Sequence, residues 1–66
     1  MNDHWKQRVR VEREEVHGRM TRLLKFLESS ESVYVAKAER VRLLNQLDVM
    51  RQYRKILDER IEANFQ

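Results

Sequence analysis

Sixty-six residues allow one domain, and 38% charged against 41% apolar residues with one glycine and no proline is a composition of long helices. The absence of cysteine excludes a disulfide framework and fits a reducing, cytoplasmic setting. The net charge of +3 and pI of about 9.7 come from bases interleaved with acids, so duplex DNA or RNA is not the expected partner.

No apolar run is long enough to span a membrane, and the opening Met-Asn-Asp-His-Trp lacks the apolar core of a signal peptide. Asn2 or Asp3 is placed to cap a first helix over residues 3–28. Its apolar stripe is Trp5, Val9, Val16, Met20, Leu23 and Leu27, recurring at helical spacing. Asp3 suits the positive end of the helix dipole, and Arg22 and Lys25 suit the negative end. Glu15 and Arg19 have the i,i+4 spacing of a favourable pair. Gly18 interrupts the helix at a cost of about 1 kcal/mol relative to alanine. It marks either a tolerated surface glycine or a close approach of another backbone or a ligand.

Residues 29–34 break the pattern. Ser29, Ser30 and Ser32 compete for backbone hydrogen bonds, and Val33, Tyr34 and Val35 are weaker helix formers than their neighbours. Ser32, with Ser30 next, is the expected cap of a second helix over residues 35–63. That helix carries Leu43, Leu47, Met50, Leu57 and Ile61, widened by Leu44, Tyr53 and Ile56. The pattern predicts an all-α, antiparallel two-helix hairpin. The stripes are wider than a two-helix contact can cover. A homo-oligomer is therefore expected, with two hairpins dimerising into a four-helix bundle and higher assemblies left open.

Catalytic chemistry has no visible parts. There is no cysteine nucleophile, the serines have no histidine base nearby, and a single glycine cannot make a phosphate loop. Glu14 and His17 have the Glu-x-x-His spacing of di-iron bundles, but they project away from the side marked by Val16 and Met20, so solvated surface residues are expected. Neither an enzyme nor a metal or other cofactor is predicted.

Arginine outnumbers lysine ten to four, and its planar fork matches phosphate oxygens. Arg13 falls on the apolar side of the first helix, and Arg40 and Arg54 fall beside or within the second stripe. Such charges reach a partner or snorkel outward. Glu12 and Asp58 are the candidate partners. The structural reading is an inter-helix salt bridge. The functional one is an anion pocket at a helix or subunit interface, with Trp5 or Tyr53 stacking on a base.

The stretch Trp5-Lys6-Gln7-Arg8-Val9 with Glu12, Leu23 and Phe26-Leu27 resembles the opening half of a family of very short phage proteins first grouped with crAss-like phages. Met50 to Ile61 resembles its closing half, which reads M-x-x-Y-x-x-I-L-x-x-R-I, and Gln46 also fits. Ser30 to Ala38 departs from the pattern. The family is similar in form to phage sponge proteins, oligomeric helical hairpins that sequester the nucleotide messengers of CBASS and Thoeris immunity. The resemblance implies a non-catalytic anti-defence sponge in the host cytoplasm. Its ligand would be a cyclic oligonucleotide or an ADP-ribose derivative, held by Trp5, Arg13, Arg40, Gln46, Tyr53 and Arg54. The competing expectation is a helical module that docks on a host protein as an inhibitor or adaptor.

Overall fold

The computed structural model describes residues 4–65. Helix α1 spans His4–Glu28, a 3-10 turn spans Ser30–Tyr34, and helix α2 spans Lys37–Asn64. The predicted caps Asn2 and Asp3 lie outside the described residues. The helices run antiparallel in a rod of 52 × 15 × 15 Å. Their register is legible from three cross-helix neighbours: Lys6 near Phe65, Arg13 on Asp58, and His17 beside Arg54.

The predicted stripes form the seam. Val9, Val16 and Met20 of α1 and Leu47 and Leu57 of α2 are buried, with Leu23, Leu24, Leu27, Met50 and Ile61 packed around them. Leu57 is the most enclosed side chain, at 1% exposure. The flanks stay wet. Trp5, Leu44, Tyr53 and Ile56 are all exposed, because one neighbouring helix covers only the residues facing it. None of the described helices is long and apolar enough to cross a membrane.

The turn corrects the expected capping. Ser32 does not cap α2, which begins at Lys37 rather than Val35. The cap residue there is Ala36, which has no side-chain bond to offer. Ser32 is instead buried and turns back to α1. Its Oγ lies 3.0 Å from the Leu27 carbonyl and 2.8 Å from that of Ser29, and its single hydroxyl proton is shared between them. The Ser29 Oγ donates to the Phe26 carbonyl at 2.6 Å. The last carbonyls of a helix lack partners within it, and here serines supply them. The Arg40 guanidinium then donates to the Ser32 carbonyl at 2.6 Å, tying the first turns of α2 to the connector. Glu15 and Arg19 are both exposed and form no ion pair with each other.

Two outcomes follow from this geometry. Ser32→Ala removes the only side-chain donor to the Leu27 carbonyl at a buried position, so it is expected to destabilise the hairpin by about 1–3 kcal/mol in urea unfolding. Gly18→Ala is expected to stabilise it by about 0.5–1 kcal/mol. A Cβ at Gly18 meets only the end of the exposed Arg22 side chain, at 3.3 Å, which can move aside.

Candidate functional site

Charge gathers at one place on the side of the seam. Arg13 of α1 donates from Nε to Asp58 Oδ1 of α2 at 2.8 Å. Asp58 Oδ2 lies 4.0 Å from Arg54 Nε, one turn back on α2. Two arginines from opposite helices thus face one carboxylate. Of the two candidate partners, Asp58 is the one used, while Glu12 enters none of the ion pairs among the described residues. The Asp58 hydrogen bond raises the Arg13 pKa above its ordinary value, against the lowering by burial, and Asp58 and Glu14 charges add to the rise. Arg13 is therefore charged at neutral pH. Glu14 Oε1 also accepts from Arg13 Nη1 at 3.1 Å, but its side chain is 71% exposed, so water screens that pair heavily.

His17 was expected on the solvated surface, and the structure corrects this. It is half-buried, and its Nδ1 lies 3.1 Å from Arg54 Nη1. A guanidinium has no acceptor, so Arg54 donates and His17 Nδ1 accepts. A bond in that direction requires a bare Nδ1, which puts the ring proton on Nε2. The sequence signal for this was available: His17 and Thr21 continue the flank that Arg13 begins, at four-residue steps. Arg54 Nε is buried with no hydrogen-bond partner. A carboxylate shift of about 1 Å would bring Asp58 to a normal bonding distance from it.

The remaining predicted residues lie elsewhere. Tyr53 is half-exposed, and one residue of helix turns it about 100° from Arg54, onto the other flank of α2. Gln46 is exposed about 12 Å along α2 from Arg54. Arg40 serves the turn, about 21 Å along the helix from Arg54. Trp5 stands about 12 Å from Arg13, at the open end of the rod. There, Lys6 Nζ lies 5.8 Å from the Trp5 ring centre and 6.0 Å from that of Phe65, and the Arg10 guanidinium stacks 4.1 Å from Phe65. Phe65 was not singled out in the sequence, because it follows the last helical turn. Of the six candidates, only Arg13 and Arg54 come together in one protomer.

A hollow of about 520 Å³ is an open groove on the outer side of α1, lined by His4, Gln7, Arg8, Val11, Glu12 and Glu15. A groove walled by one helix encloses little, and it lies away from the paired arginines. Among the described residues no group of three or more His, Asp or Glu is placed to hold a metal ion.

A family model named Sequestin matches residues 3–63, nearly the whole chain. The chain belongs to the Sequestin family. The match spans both helices and the turn, including the stretch from Ser30 to Ala38 that departs from the phage pattern. No curated protein and no solved structure matches the chain.

The site makes a spectroscopic prediction. Long-range nitrogen–proton correlation of the histidine rings is expected to show His17 as the Nε2–H tautomer at neutral pH, and Arg54→Ala is expected to release that preference toward a tautomer mixture.

Proposed function

We propose that this Sequestin-family chain is a stoichiometric, non-catalytic sponge for a nucleotide-derived immune messenger, encoded by a phage and acting in the host cytoplasm. The observation that carries this reading is the pair Arg13 and Arg54, drawn from opposite helices onto the single carboxylate of Asp58. Both guanidiniums are partly open to solvent, and most of their N–H donors are unused within the protein. Phosphate or pyrophosphate oxygens match that array, since planar guanidinium forks bind such groups two oxygens at a time. The family name, which speaks of sequestration, supports the same reading.

The protein acts as a homo-oligomer. A single hairpin presents the arginines on an open side, partly exposed, and it leaves Leu44, Tyr53 and Ile56 exposed. Leaving such side chains in water forgoes about 1.5–3 kcal/mol each. Another copy set against the arginine side would close the ligand in. Capture by binding alone requires no nucleophile, base or metal, in keeping with the residues present.

A second reading is favoured by the hairpin tip. Tyr34 and Val33 are 88% and 71% exposed on a turn held by several hydrogen bonds. A rigid tip with bare apolar side chains suits docking on a host protein, as an inhibitor or adaptor would.

The test is thermal denaturation with a panel of cyclic di- and trinucleotides, cyclic ADP-ribose isomers and histidine-ADP-ribose. At a hundredfold excess over Kd the correct ligand stabilises the fold by about 2.7 kcal/mol, a readily measured rise in Tm. Arg54→Ala and Arg13→Ala are each expected to weaken capture at least about tenfold while retaining helicity. A panel without any stabilising member overturns the sponge reading. A host polypeptide retained in its place would establish the second.

A further inference from the structure

Helix α2 carries a second stripe on the side turned away from α1. Val41, Val49 and Ile56 stand on it, each half-exposed or more. Asn45 and Gln52 fill the turns between them, and Ala38 and Ala63 close its two ends, all exposed. At about 100° per residue these seven positions lie within about 40° of one line along the helix. Glu59 is the single charge on that line, in a chain that is 38% charged. The steps alternate between three and four residues, which is the spacing of a helix–helix seam. The hairpin's own core makes no use of it.

The charges around the stripe point to its occupant and its direction. In the first two turns of α2, Lys37 and Arg42 outnumber Glu39. In the last two, Glu59 and Glu62 outnumber Arg60. One α2 laid antiparallel on another therefore sets a basic end against an acidic end twice, whereas a parallel pair sets like against like. Asp48 and Lys55 are exposed along one edge of the stripe, seven residues apart and straddling the middle of the helix. An antiparallel two-fold places Asp48 of each copy beside Lys55 of the other. On the opposite edge Arg42 comes near Arg60, and Glu39, 2.7 Å from Arg42, offsets that approach.

We propose that the outer stripe of α2 is a self-association surface whose occupant is α2 of a second copy, running antiparallel and centred between Asp48 and Lys55. The inference rests on the homo-oligomer reading above and adds to it a contact distinct from any copy that closes over the arginines. The two α2 helices lie at the centre of the assembly and the two α1 helices outside, in a layer rather than a closed bundle. The stripe is turned away from Arg54 and Asp58, so this contact leaves the arginine pair uncovered and open to ligand.

The experiment is sedimentation of the full chain carrying Asp48→Lys, Lys55→Asp, or an equal mixture of the two variants. Both residues are exposed on the outside of the hairpin, and unchanged helicity by circular dichroism shows that each variant folds. Each variant alone sets like charges together at both sites and is expected to self-associate at least about tenfold more weakly than the parent chain. The mixture places lysine against aspartate at both sites and is expected to regain assembly. A parent chain that sediments as single subunits at micromolar concentration overturns both this surface and the oligomeric part of the proposed function. A parent chain that assembles, with variants that assemble equally well or a mixture that regains nothing, overturns this surface alone.

Discussion

Two helices can hide only the strip on which they touch. Val9, Val16, Met20, Leu47 and Leu57 occupy that strip and are buried. Every other large apolar side chain among the described residues is left partly or wholly in water. With no disulfide available, the hairpin has no covalent means of offsetting so small a core. That geometry explains both the rod shape and the crowding of charge along the seam. Arg13, His17, Arg54 and Asp58 sit where the apolar strip ends and solvent begins, each of them partly open to water.

The arginine pair and the outer stripe divide α2 into working sides. The inward side holds α1. The flank with Arg54 and Asp58 presents cationic donors, and the outward side presents neutral and apolar residues in register with their own reversal. Under the proposed function this separation matters, since a contact between copies need not compete with a ligand for the same side chains.

The hairpin, its stripes and the break between the α-helices at the serines were legible in the sequence because helical periodicity is a local property. The core positions fell where the spacing put them. The turn was misread because serine has two capping roles, and spacing alone favoured the start of α2. Burial and the reach back to Leu27 decided for the end of α1. Among the candidate site residues, Arg13 and Arg54 could be suspected from their place on the apolar side, and Asp58 from its i+4 relation to Arg54. Tyr53 was grouped with Arg54 by sequence adjacency, which in a helix means opposite flanks. Trp5, Gln46 and Arg40 were gathered into one pocket because a sequence gives no distance along a rod. His17 shares the flank of Arg13 by its four-residue step, but its neighbour Arg54 follows only from the register with α2.

The bonds that end α1 span at most five residues, from Phe26 and Leu27 to Ser29 and Ser32. They can therefore form on a nascent chain before α2 has been made. When Arg40 emerges and finds the Ser32 carbonyl, the start of the returning helix is anchored at a fixed point. From there α2 grows alongside a surface already in place, each added turn meeting its counterpart without a search among sliding alignments. With only local closure required and no proline to isomerise, such a chain assembles on the fast side of the folding range. Promptness of folding then sets how soon each new copy presents its paired arginines.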